Sequence, residues 1–368
     1  MARIAIVGAG PAGSAAGWHL ASRGHEVSLF DRAAFPRPKT CGDWITLGAV
    51  AELDRMGLSR SIIESGAGER AAVTHTAIVS PSGRRTVSPS PEPAYCIPRL
   101  VFDNMLWRHA VQAGCQAIQR SVRSIGTGDG EFLREWPYVI DARGAHAGNA
   151  NAVALRAYWT VPSLQLSNAE ALTVQIVTDA VFTRGYGWIF PVNTTRERVR
   201  FNIGVGMLSA DTRPGHSVRQ FFDRFVEVNP SLRRWHDTAE RERPVGCHVS
   251  LGLPRNAVGD ARVLRIGDAA NLADPLTGDG IAHALKSGRL AAEAIDGAQS
   301  ADDARHRWQA SYQTDIQGEI DRARLLQRWL TPTSAKNIAA VALAAVPPLR
   351  RRIHAAVFNE RPYQGLLP

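Results

Sequence analysis

Short apolar runs punctuated by glycine set the layout of the chain. Arg3-Ile4-Ala5-Ile6-Val7 reads as a buried strand, and Gly8-Ala9-Gly10-Pro11-Ala12-Gly13 turns out of it. The pattern predicts a helix over 12–23, opened by Pro11, whose missing N–H costs nothing in a first turn, and closed by Gly24. A second strand over 26–30 ends at Asp31, and a proline-rich loop runs to Lys39. Leu47, Val50, Leu53 and Met56 recur every three residues and predict a helix over 46–56. Two strand-like runs over 71–87 flank Pro81-Ser82-Gly83, a hairpin signal, and a helix over 100–113 stops at Gly114.

Residues 132–141 read as a returning strand. Segments 153–161, 172–177, 188–192 and 199–205 then alternate apolar and polar with no helix between them, which predicts an antiparallel sheet in a second lobe reaching about residue 253. A helix is expected over 217–228. The chain next re-enters the first lobe through a strand over 262–266, the sequence Gly267-Asp268-Ala269-Ala270, a loop, and a helix over 281–298. That helix keeps Ile281, Ala284, Leu285, Gly288, Ala292 and Ile295 on one face. A long helix over 302–330 and a basic tail follow.

The Gly-x-Gly-x-x-Gly of Gly8, Gly10 and Gly13 stands between strand and helix, and Asp31 lies eighteen residues beyond Gly13. Such a turn brings backbone N–H groups to a pyrophosphate, and the acid accepts ribose hydroxyls, so the stretch predicts an adenine dinucleotide. The fingerprint occurs once, which leaves no second nucleotide domain.

Composition changes this picture little. The net charge is +9, with three lysines (Lys39, Lys286, Lys336) against forty arginines, a bias that suits codon usage first and an anionic cofactor or substrate second. The basic residues are scattered without interleaved aromatics, so nucleic acid is not expected. Cys41, Cys96, Cys115 and Cys247 form no Cys-x-x-Cys pair, which argues against a metal site and a disulfide framework. A strand beginning at residue 3 and the lack of long apolar runs make a cytoplasmic location the expectation.

Three separated signals carry a resemblance: the fingerprint, Val139-Ile140-Asp141-Ala142-Arg143-Gly144, and Ile266-Gly267-Asp268-Ala269-Ala270 with Pro275-Leu276-Thr277-Gly278-Asp279-Gly280. Together they resemble the FAD-dependent enzymes of the para-hydroxybenzoate hydroxylase fold group. Within that group, Tyr186-Gly187-Trp188-Ile189-Phe190-Pro191 followed by Gly204-Val205-Gly206, and Lys39-Thr40-Cys41-Gly42-Asp43, resemble the geranylgeranyl reductases. The resemblance implies an α/β fold: a Rossmann-type FAD-binding domain (1–70, 92–150 and 255–330), an inserted antiparallel-sheet substrate domain (71–91 and 151–254) and a helical C-terminus (331–368). It further implies that Gly8, Gly10 and Gly13 take the pyrophosphate, with Asp31 and Arg32 at the adenosine ribose. Arg99 would contact the flavin, Asp268 the pyrophosphate–ribityl side, and Gly278 and Gly280 the isoalloxazine. The helix from Ile281 is expected to present unpaired N–H groups there, a positive end suited to an anionic reduced flavin.

Substrate is expected between the lobes, with Tyr186, Trp188 and Phe190 on one strand face lining an apolar channel or packing as core. Cys41 and Tyr186 are the candidate catalytic proton donors. Cys41 also reads as a small packed thiol, the commoner role of a free cysteine, and Asp279 as a helix cap. Asp141-Ala142-Arg143-Gly144 departs from the Asp-Gly motif of the hydroxylases. Reductant is therefore expected from transient NAD(P)H or from a separate electron-transfer partner. The favoured activity is saturation of a carbon–carbon double bond in an apolar prenyl- or polyketide-like molecule. A monooxygenase, a halogenase or a non-catalytic flavin binder are the alternatives. The tail, apolar over 337–346 and followed by Arg350-Arg351-Arg352, reads either as a packed helix or as a peripheral membrane contact.

Overall fold

A computed structural model describes residues 1–58, 70–123, 125, 130–147, 150–252, 259–260, 262–358 and 363. The strands, in chain order, are β1 (Arg3–Val7), β2 (Glu26–Asp31), β3 (Trp44–Ile45), β4 (Ala71–Val79), β5 (Arg85–Cys96), β6 (Gln116–Gln119) and β7 (Tyr138–Asp141). Then come β8 (Ala152–Pro162), β9 (Thr173–Thr178), β10 (Gly185–Thr194), β11 (Arg198–Leu208), β12 (Glu240–Arg241), β13 (Val245–Val249), β14 (Gly259–Asp260) and β15 (Val263–Arg265). The longer helices are α1 (Pro11–Ala21), α2 (Leu47–Arg55), α3 (Arg99–Gln112), α4 (Val218–Val228), α5 (Ile281–Asp296), α6 (Ala301–Tyr312), α7 (Gly318–Trp329), α8 (Thr333–Ala345) and α9 (Pro347–Val357).

Among the described residues, one sheet runs β14-β15-β7-β1-β2-β6, parallel except at the β14 edge. Its strands are nearly all apolar because helices cover its face: Ile4, Ile6, Leu29 and Ile140 pack with Leu20 of α1, Ala291 of α5 and Trp308 of α6. β7 and β15 are neighbours although more than 120 residues separate them, which is how the first lobe closes across the insertion.

The second sheet runs β12-β8-β11-β10-β9-β4-β5-β3, with β13 also on β8. The four strands expected in succession pair antiparallel, but β4 joins β9 in parallel, so the sheet is mixed. One face packs on Phe221, Phe222 and Phe225 of α4 and on Trp235. The opposite face carries Tyr158, Ile176, Trp188 and Phe190 toward the first lobe.

Three expectations are corrected. The run over 132–141 is a helix (Gly130–Glu135) followed by the four-residue strand β7; Phe132 and Trp136 pack edge-on against Phe30, a use of apolar residues that period alone does not separate from a strand. The hairpin's return strand continues to Cys96, beyond the run read from the sequence, despite three prolines. The helix over 302–330 is interrupted by a π-helical turn, Gln313–Gln317, which shifts the register between α6 and α7. The expected end of the second lobe at residue 253 lies outside the described residues.

Candidate active site

β1 ends at Val7, and Gly8 turns the chain at φ +105° with its N–H donating to the Phe30 carbonyl at 2.7 Å. A Cβ at Gly8 would stand 2.2 Å from the Ala142 carbonyl oxygen, and one at Gly13 would stand 1.8 Å from the Gly8 carbonyl oxygen. Both positions therefore exclude side chains by backbone contact, and Gly13 lets α1 seat against the turn. Asp31, at the end of β2, accepts the N–H groups of Ala9 and Ala33, each at 2.9 Å. Arg37 lies 3.6 Å from Asp31 and 3.2 Å from Asp103. Asp103 in turn holds Arg99 through two guanidinium nitrogens. Burial works against the Arg99 charge, and the Asp103 carboxylate beside it more than restores it.

At the other end of the first lobe, β15 leads into Gly267 and Asp268. Burial pushes the Asp268 carboxyl up, opposed by the charges of Lys39 and Arg99. Among the described residues no donor hydrogen-bonds its carboxylate. Asp274 is buried and gathers the loop by accepting from Leu276 at 2.8 Å and Thr277 at 2.7 Å. The expectation of free amides at the start of α5 needs correction. Asp279 accepts from Ile281 at 3.0 Å and Ala282 at 3.4 Å, and also takes the Thr46 hydroxyl at 2.9 Å. A carboxylate has already capped two of those groups, as the cap reading of Asp279 anticipated.

The strand β10 crosses above this loop. Tyr186 donates its hydroxyl to the Thr277 carbonyl, and a Cβ at Gly278 would lie 2.8 Å from the same hydroxyl. Burial, with Asp274 and Asp279 nearby, raises the Tyr186 phenol. Trp188 and Phe190 are each 6% exposed. A Cβ at Gly204 on β11 would meet the Trp188 ring at 2.2 Å, so that glycine makes the room the indole occupies.

Behind Trp188 lies a network that the sequence did not disclose. Trp188 Nε1 donates to Asn202 Oδ1 at 2.9 Å, and Asn202 Nδ2 donates to the Cys41 carbonyl and to Asp43 Oδ2, each at 2.7 Å. Tyr158 donates to Asp43 Oδ2 at 2.5 Å and the Arg99 N–H to Asp43 Oδ1 at 3.2 Å. Asp43 is fully buried at φ +65°. Its burial pushes the carboxyl up, against the hydrogen bonds from Tyr158 and Asn202 and the charge of Arg156. Asp43 and Asn202 thus fix the backbone that carries Cys41.

A single cavity of about 890 Å³ joins these parts. Gly8, Gly10, Asp31, Arg32, Cys41, Arg99, Tyr186, Trp188, Phe190, Asp268, Gly278 and Gly280 all line it, whereas Gly13 packs behind the turn. The lining also includes Cys247, Arg156 and, from the tail, Lys336, Leu343, Ile353 and Val357, none of which carried a sequence signal. Lys336 is 9% exposed, donates to the Thr183 carbonyl at 2.5 Å, and is pushed down to about 8 by burial.

The residues present fit FAD. The turn is closed to side chains at Gly8 and Gly13, Gly10 faces the cavity, and Asp268 is a half-buried acceptor whose carboxylate has no donor among the described residues. Asp31 and Arg32 would hold the adenosine end, Asp268 and Arg99 the ribityl and flavin end, and the loop of Gly278 and Gly280 would approach the flavin.

Comparison with known proteins agrees. The FAD binding domain model matches residues 1–130. The chain is 30% identical over 336 residues to a menaquinone reductase of Mycobacterium tuberculosis, covering 80% of this chain and 76% of that one. It is 29% identical over 349 residues to digeranylgeranylglycerophospholipid reductase 2 of Methanopyrus kandleri, covering 87% and 83%. Among solved structures, a geranylgeranyl bacteriochlorophyll reductase-like protein of Thermoplasma acidophilum shares the fold with a TM-score of 0.75 at 19% identity, over 98% of both chains. A flavin-dependent brominase shares it with a TM-score of 0.75 at 19% identity, over 97% and 93%. The chain belongs to the geranylgeranyl reductase-like family of FAD-dependent oxidoreductases.

Proposed function

We propose that the protein reduces a carbon–carbon double bond of an apolar, prenyl- or polyketide-like small molecule. The observation that carries this reading is the continuity of the cavity. The fingerprint glycines Gly8 and Gly10 and Asp268 line the same cavity as Trp188, Phe190 and the apolar tail residues Leu343, Ile353 and Val357. The names of the relatives, a menaquinone reductase and a digeranylgeranylglycerophospholipid reductase, support a prenyl-bearing substrate.

Bound FAD, once reduced, supplies a hydride. The protein's own residues supply orientation, exclusion of water and a proton. Trp188 and Phe190 press an apolar chain toward the loop at Gly278. Cys41 delivers the proton to the second carbon, from a position on the same cavity wall as Arg99. Tyr186 is the poorer donor, since its hydroxyl is committed to the Thr277 carbonyl and its phenol is raised by burial. It serves better as the post that holds strand and loop together.

Electrons reach the cofactor from transiently bound NAD(P)H or from a separate electron-transfer protein. The chemistry is tested without either, by reducing the FAD-loaded protein with dithionite and offering a menaquinone and a geranylgeranyl-bearing lipid. Product still heavier by two hydrogens after air has returned the quinol to quinone, and absent when dithionite acts without the protein, supports the reading. Product heavier by one oxygen, or carrying a halogen when halide and oxygen are supplied, refutes it.

A further inference from the structure

We propose that the outer face of α8 and the start of α9 is a docking surface for an anionic lipid bilayer, positioned at the mouth of the cavity. Large apolar side chains that remain exposed are concentrated there: Leu325, Trp329, Ile338, Val341, Val346 and Leu349 lie within 25 residues of a 368-residue chain. Ile338 is 69% exposed and Trp329 55%. Exposed apolar side chains gathered in this way along consecutive helices mark an interaction site.

Helical geometry makes α8 two-sided. Lys336, Ala340 and Leu343 are buried and line the cavity, while Ile338, Val341 and Ala345 recur at the opposite angle and face out. Trp329 and Leu349 both line the cavity and remain exposed, so they mark its rim.

Charge selects the occupant. From residue 322 to 358 there is no aspartate or glutamate, against six arginines and one lysine. Arg322 and Arg324 are paired with Glu319 and Asp321, whereas Arg328, Arg351 and Arg352 are exposed beside the apolar patch. Apolar residues flanked by arginines suit an interface of acyl chains and anionic headgroups. A partner protein with a dry apolar patch would match the leucines but not the uncompensated charge. No described helix is long and apolar enough to cross a membrane, so the contact is peripheral. The inference uses the surface alone and stands whether or not the reductase reading holds.

The test is co-sedimentation of the FAD-loaded full chain with phosphatidylcholine vesicles, with and without phosphatidylglycerol. Binding is expected only to the anionic vesicles and is expected to fall with added salt. Arg351→Glu with Arg352→Glu should weaken it by at least about tenfold, since each basic residue near such a surface contributes about 1 kcal/mol, or a factor of about five. Ile338→Glu with Val341→Glu should abolish it. These positions are exposed, so FAD content and melting temperature should stay as in the parent, which separates lost docking from lost folding. The proposal is overturned by no binding to either vesicle, by equal binding to both, or by variants that bind like the parent. It is also overturned if Ile338→Glu with Val341→Glu converts a dimer to monomers, because a second copy would then be what covers this face.

Discussion

Replacing Asn202 by alanine tests the network behind Trp188 most severely. Asn202 is fully buried and serves three partners: the Cys41 carbonyl, the Asp43 carboxylate and the Trp188 indole N–H. Truncation leaves each short of one hydrogen bond. A buried neutral group left unpaired costs about 1 kcal/mol or more, and a charged one about 1.5–3 kcal/mol. Asp43 keeps Tyr158 and the Arg99 N–H, which places its share at the low end. The sum is about 3–5 kcal/mol, a large fraction of the 5–15 kcal/mol by which proteins are typically stable. Denaturant midpoints measured for Asn202→Ala, for Trp188→Phe and for the double variant close a cycle, with a coupling of about 1 kcal/mol expected from the shared indole bond. The Cys41 backbone also loses an anchor, so turnover should fall further than FAD affinity. If Asn202→Ala costs less than about 1 kcal/mol, or if the two changes add without coupling, the network does not hold the loop as described.

The other expectations are simpler to state. Asp31→Ala and Asp268→Ala should each weaken FAD binding by about 1.5–3 kcal/mol, the worth of a hydrogen bond to a charged acceptor, read by titrating apoprotein with FAD; unchanged affinity would remove that residue from the cofactor site. Gly204→Ala forces a methyl into the Trp188 ring and should destabilise by about 1–3 kcal/mol through overpacking, with melting unchanged as the contrary result. Acid should loosen the fold in a defined window. Burial lowers His19 and His354 to about 4, His354 lying between the hydroxyls of Thr76 at 2.8 Å and Thr86 at 3.3 Å. Because the folded-state values lie below the ordinary 6.5, the stability these neutral rings contribute is present above pH 6.5 and is lost as pH falls toward 4. His354→Gln should flatten that part of the pH–stability curve; a curve identical to the parent's would show that His354 does not titrate there.

The first lobe was legible because its signals are local. A strand, a glycine turn and a carboxylate at a fixed offset occupy the first 31 residues, and their chemistry follows from spacing alone. Tyr186, Trp188 and Phe190 were legible for the same reason, since alternation places them on one face. The network around Asp43 was not, because its members lie 115 and 159 residues apart in sequence and meet only through the pairing of β8 with β11 and the packing of the Cys41 loop beneath them. Gly42-Asp43, a turn-forming pair, was the one available hint, and Asp43 does adopt a positive φ. The tail's part in the cavity was hidden in another way. Its apolar composition reveals two faces only once Lys336, Ala340 and Leu343 are seen to point inward. The helix over 130–135 was misread because a short apolar run has no period long enough to separate helix from strand.

Reoxidation of the reduced protein in a single turnover, without oxygen, tests the central claim most directly. FAD-loaded protein is bleached anaerobically with dithionite, freed of excess reductant and mixed with the prenyl-bearing lipid while its visible absorbance is followed. The account predicts that the yellow colour returns at a rate set by lipid concentration, with one saturated bond formed per FAD. A flavin that stays bleached until oxygen is admitted, and only then gives product, would contradict it.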